Sequence, residues 1–141
     1  VIERAVTARL RRQEILNRFD PPELWVVLDE AALRRVVGGV DVMRKQIQHL
    51  IHLAARHNIT IQVAPFGEGA HAALVGSFVI LDFPAPLDPS LAYAETYAAS
   101  LLMETSAELS RYNAVFGHLQ GSALSAAESV KLMEVVMSQL E

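Results

Sequence analysis

Asp29 ends the apolar run LWVVLD (24–29), Glu30 follows it, and Arg34 and Arg35 come within the next five residues. Two carboxylates and two guanidiniums at a strand end are groups that a charged ligand would meet, because open α/β sheets take ligands outside the carboxyl ends of parallel strands. The segment GEGAHAALVG (67–76) leaves a second apolar run, and it carries a single histidine, His71. If the two strands are parallel, the loop leaves at the same end, and Glu30, Arg34 or Arg35, and His71 are one candidate convergence. The simpler reading, and the one favoured here, is an ion pair beside a helix cap. The loop's glycines Gly67 and Gly69 then serve only to let the backbone turn.

Other chemistries find less support. His49 and His52 are spaced i, i+3 and His57 lies five residues further, whereas a helical zinc site of the metalloprotease kind needs i, i+4 with a glutamate between. Their face also carries Lys45 and Arg56, as expected of a solvated surface, and His118 has no carboxylate at a ligand spacing. No metal site is expected. There is no G-x-S-x-G elbow, and Ser77 follows Gly76 directly. The glycine-rich loop lacks the lysine of a phosphate loop and leads to a strand rather than a helix. No catalytic residue, no cofactor and no enzymatic activity are expected.

These residues must be held by elements that can be read along the chain. A first helix runs to about Arg18 and stops before Asp20-Pro21-Pro22, because proline cannot continue a helix and restricts its predecessor. LWVVLD has no polar face and is expected to be a strand covered on both sides. A short helical turn at 30–35 ends at Gly38-Gly39. Asp41 is expected to cap a helix over 42–57 whose buried stripe is Met43, Ile47, Leu50, Ile51 and Ala54, with Lys45, Gln48, His49, His52 and Arg56 facing water. Asn58 is the expected left-handed residue after it. ITIQVAP (59–65) alternates, with Thr60 and Gln62 opposite Ile59, Ile61 and Val63, and completes a parallel βαβ unit. SFVILDF (77–83) is expected to be a central strand, PAPLDPS a loop, and LAYAET (91–96) an antiparallel partner. Two helices close the chain, each opened by capping-box spacing: Thr105 with Glu108, and Ser125 with Glu128. Gly121 is expected to end the first of them. The expected class is α/β (α+β): a small mixed four-stranded sheet with a βαβ unit, flanked by helices.

At 141 residues the chain is expected to be a single domain, 1–141, with a real core. Hydrophobic residues make up 52% and mean hydropathy is +0.26, a surplus that suggests surface buried against a second copy or another domain. No apolar run approaches the roughly 18 residues of a membrane span. The absence of cysteine excludes disulfides and points to a reducing, cytoplasmic setting. Residues 1–57 hold ten Lys/Arg against seven Asp/Glu, net +3, while 58–141 hold two against nine, net −7. The basic start reads as a solvated face or a linker, and the acidic remainder argues against this domain itself lying along nucleic acid. VIERAVTARLRRQEILNRF looks helical from its first residue without an N-cap, which is expected of a piece of a longer protein.

PPELWVVLDEAALRRVVGG, NITIQVAPFGEGAHAALVGSFVILDF and the following YAE together resemble the C-terminal domain of actinobacterial, Streptomyces-type Xre-family helix-turn-helix regulators, a domain of unknown function described as antitoxin-like in some members. The resemblance spans nearly the whole chain, including ARLRRQ (8–13) and ALSAAES (123–129). Ala64 departs from a bulkier aliphatic and His57 from a common proline. The resemblance implies a helix-turn-helix domain preceding this one, through which alone DNA would be bound. It implies a regulatory, homodimer-forming or partner-binding role, with a small protein encoded next to it as one partner. A small-molecule effector-sensing role is the alternative. It supplies no catalytic residue. The positions matching its motifs that are suited to contact a ligand or partner are Asp29, Glu30, Arg34, Arg35, Gln62, His71 and Glu95.

Overall fold

The computed structural model describes residues 1–84 and 89–141. Mixed α/β architecture is found, but the strands fall into two sheets rather than one mixed sheet of four. The chain divides into two compact units, 1–63 with 124–141, and 64–123.

In the first unit, α1 (Ile2–Gln13) is followed by a 3-10 turn, Glu14–Asn17, so the α-helix ends earlier than Arg18. β1 (Leu24–Asp29) and β2 (Ile59–Ala64) form a two-stranded parallel sheet. α2 (Glu30–Arg34) and α3 (Val40–Ala54) cross between them, and α5 (Ala126–Ser138) completes the unit. The core forms where apolar faces meet: Leu33 of α2, Ile47 of α3, Ile59, Ile61 and Val63 of β2, and Met133 and Val136 of α5. Of the expected stripe on α3, Met43 and Ile47 are buried and Leu50, Ile51 and Ala54 half-buried, while the polar face is exposed.

Several local expectations are corrected. Gly39, at φ +96°, rather than Asp41 precedes α3, and Asp41 sits in its first turn. Gly38 and Gly39 both have positive φ and turn the chain from α2 into α3. β1 is not covered on both sides: Leu24 and Trp25 are exposed and the rest half-buried. Asn58 is not left-handed. It is buried, and its Nδ2 donates to the carbonyls of Pro22 at 3.2 Å and Leu16 at 3.5 Å, tying the strand start to the preceding loop.

The second unit holds a three-stranded antiparallel sheet in the order β3 (Phe78–Leu81), β4 (Leu91–Glu95), β5 (Ser100–Met103), and the helix α4 (Ser106–Ser122). The SFVILDF strand is therefore an edge strand with alternating exposure, not a central one. β4 is central, and β5 was not read from the sequence. Gly121 lies inside α4, which ends one residue later. Of the loop PAPLDPS, residues 85–88 lie outside the described residues. Both capping boxes form as their spacing required: Thr105 and Ser125 each accept from the backbone N–H of the glutamate three residues on, and that glutamate accepts from the cap's own N–H. Among the described residues, no helix is long and apolar enough to cross a membrane.

Candidate functional site

Asp29 ends β1 in an extended conformation and its Oδ1 accepts from the Ala31 N–H at 2.8 Å, so it caps α2. One turn on, Glu30 Oε1 and Arg34 Nε approach to 2.6 Å, an i, i+4 pair in which the carboxylate is buried and the guanidinium partly exposed. Arg34 also donates through Nη1 to Gln139 Oε1 at 2.9 Å, joining α2 to the end of α5. Arg35 is exposed and ends α2, its N–H donating to the Ala31 carbonyl at 3.0 Å. Asp29, Glu30 and Arg34 thus form a helix cap and an ion pair.

Gln62 departs most from expectation. It lies on the polar face of β2 but is buried. Its Oε1 accepts from Trp25 Nε1 at 2.8 Å, and its Nε2 donates to the Leu124 carbonyl at 3.0 Å. The amide thus joins both strands to the segment entering α5. Beside it, the buried Ser129 Oγ accepts from the Val63 N–H at 2.8 Å, and the Leu124 N–H donates to the Val63 carbonyl at 3.0 Å. The outer edge of β2 is fastened by these bonds, which use backbone groups that an open edge would leave for another strand.

His71 and Glu95 belong to the second unit. His71 is half-buried and leads a 3-10 turn, Ala72–Val75, its carbonyl accepting from the Leu74 N–H at 3.1 Å. Gly69, at φ +70°, ends a preceding 3-10 turn, Phe66–Glu68; the loop therefore bends at a glycine, as expected. Glu95 is exposed at the end of β4, opposite Ser100.

Two features lie outside those seven positions. In the first unit, a groove of about 570 Å³ runs along α3 and α5, lined by Arg44, Lys45, Gln48, His49, His52, Glu134, Met137 and Ser138. Arg44 reaches across it to donate to the Leu140 carbonyl at 3.0 Å and pairs with Asp41 at 3.3 Å. The polar face of α3 was legible from its period, but not that α5 would form the opposite wall. Among the described residues no group of three His, Asp or Glu is placed to hold a metal ion.

In the second unit, the sheet has two unlike faces. Ala92 and Met103 are paired in register and buried, and Phe78 on the same side meets Tyr112 of α4 edge-to-face at 5.0 Å. The opposite face presents Val79, Leu81, Leu91, Tyr93 and Leu102, of which Val79, Leu81 and Leu102 are 50%, 44% and 56% exposed. An antiparallel sheet with one face on its core normally turns a polar face outward. Here the outward face is largely apolar, with Ser100 and Glu95 at one end. The sequence signal is present in SFVILDF, which is apolar at successive positions, a pattern that a central strand shares.

The family described as a domain of unknown function, DUF5753, matches residues 1–135. No curated protein and no solved structure matches the chain.

Proposed function

We infer, for a chain that belongs to the DUF5753 family, that it is a regulatory binding domain acting through protein contacts rather than catalysis. The observation that carries this reading is the exposed apolar face of the three-stranded sheet. The resemblance of the sequence to C-terminal domains of Xre-type helix-turn-helix regulators supports a place in a DNA-binding regulator of the antitoxin-like kind, in the cytoplasm. There, dimerisation or capture of a small neighbouring protein would bias an attached DNA-binding domain. A coupling of about 1–3 kcal/mol between the two events changes DNA affinity by roughly 5- to 150-fold, enough for a switch.

The test is the mass of the chain in solution by light scattering, alone and mixed with the small protein encoded beside it. A dimer or a stable mixed complex is expected. A monomer that ignores the neighbour overturns the reading.

The groove along α3 and α5 favours a second reading, a sensor for a small anionic effector, since Arg44, Lys45, His49 and His52 face it with one carboxylate, Glu134. Thermal shift against a panel of carboxylates and phosphates checks it. A rise in melting temperature that Lys45→Ala abolishes is expected, and no shift with any member sinks it.

A further inference from the structure

None of the twelve residues of α1 is buried. A helix of this length without tertiary packing is marginal in water, because nucleation costs more than a few turns return. Its sequence is nevertheless patterned for contact: Ile2, Val6 and Leu10 recur at i, i+4, i+8, are 80%, 50% and 58% exposed, and form a stripe about 12 Å long. Arg9 and Arg12 lie on one flank of that stripe by helical period. Within Ile2–Gln13 four arginines stand against one glutamate.

The outer face of the three-stranded sheet has the complementary character. By strand alternation Glu95 lies on the same side as Leu91 and Tyr93, and Glu104 continues the side of Leu102. The apolar strip is thus bounded by a carboxylate at each end, separated by about four residues of strand, or roughly 13 Å. Residues 58–110 contain no lysine or arginine at all. A basic amphipathic helix and an acid-bounded apolar sheet face are both exposed in this chain; they match in length and are opposite in charge.

We propose that α1 of one copy docks on the outer face of the β3–β4–β5 sheet of a second copy, so that two such helix–sheet contacts close a two-fold dimer. This rests on the binding-domain reading and names its surface and its partner. Closed symmetry doubles each contact, and the apolar stripe supplies burial while the arginines meet the carboxylates that bound the sheet face.

The experiment is sedimentation equilibrium of the 141-residue chain across micromolar concentrations, with amide exchange of α1 followed in parallel. A monomer–dimer equilibrium is expected, with protection of the α1 amides rising as the dimer forms. Leu10→Glu and Leu102→Lys, both at exposed positions, are each expected to weaken dimerisation about tenfold or more with the circular dichroism spectrum retained. Reversing Arg9 and Arg12 to glutamate, or Glu95 and Glu104 to arginine, weakens it, and combining all four reversals restores it. A dimer indifferent to Leu10→Glu and Leu102→Lys, or reversals that do not compensate, overturns the proposal. A monomer at every concentration also overturns it. If that monomer still binds the small neighbouring protein, the broader binding reading stands; if it binds neither, both fall.

Discussion

Gln62 shows how one side chain can be essential to a fold while looking like a surface residue. Its amide accepts from an indole N–H on the neighbouring strand and donates to a carbonyl just before the last helix. Replacing it with leucine keeps the volume but strands both partners, and a buried group left without its partner costs about 1–3 kcal/mol. Gln62→Leu is therefore expected to lower unfolding free energy by that amount in urea titrations. Trp25 is the one tryptophan of the chain, so a shift of its emission reports this site alone. Ser129→Ala is a companion case: it leaves the Val63 N–H without its acceptor and is expected to cost a similar amount. None of this was legible locally. The partners of Gln62 lie 37 and 62 residues away, and alternation along β2 can say which way the amide points but not what it meets. Asn58 failed in the same way: a rule for helix ends assigned it a left-handed turn, whereas its amide is held by Leu16 and Pro22.

At the scale of elements, the sequence reads best where the cause is local. The capping boxes at Thr105 and Ser125 need only four residues each, and both form. The β5 strand, Ser100–Met103, escaped notice because four residues with no bounding turn dipeptide carry too little pattern. The caps also give a pH prediction. Hydrogen bonds from the Thr105 side chain and backbone hold the Glu108 carboxyl below its ordinary value, and the Ser125 backbone and side chain do the same for Glu128. A carboxylate whose pKa falls on folding stabilises the folded chain above the usual carboxylate range, and that contribution is lost as pH falls through the lowered values. Helix content and melting temperature of the natural chain should thus decline on acidification more steeply than those of a Glu108→Gln, Glu128→Gln double variant. Ser125→Ala, which removes the acceptor itself, is expected to cost about 1 kcal/mol at neutral pH, measured by chemical unfolding.

For the whole molecule, the seven candidate positions divide by unit: Asp29, Glu30, Arg34, Arg35 and Gln62 in the first, His71 and Glu95 in the second. The first unit's core was largely legible, since Met43, Ile47, Ile59, Ile61 and Val63 follow from helical and strand periods. Met133 and Val136 were not, because nothing in the α5 sequence says which strand it covers. Ile47 is fully buried at the centre of that cluster. Ile47→Ala is expected to cost about 2–5 kcal/mol, and a loss under 1 kcal/mol by urea titration would mean that the helix is not packed as described.

The bond between Leu124 and Val63 has a consequence for how this chain can change over time. It joins the point where the strand β2 ends to the point where the last helix is about to begin, at 3.0 Å. Everything from 64 to 123 is, from the standpoint of the first unit, an insertion whose two ends are already pinned side by side. Closing a longer or shorter loop between pinned ends changes the entropy only logarithmically, about 0.6 kcal/mol for each doubling of length. The inserted segment can thus lengthen or shrink with little entropic penalty for closing it. A lineage could vary the length of that segment while inheriting the pinned ends unchanged.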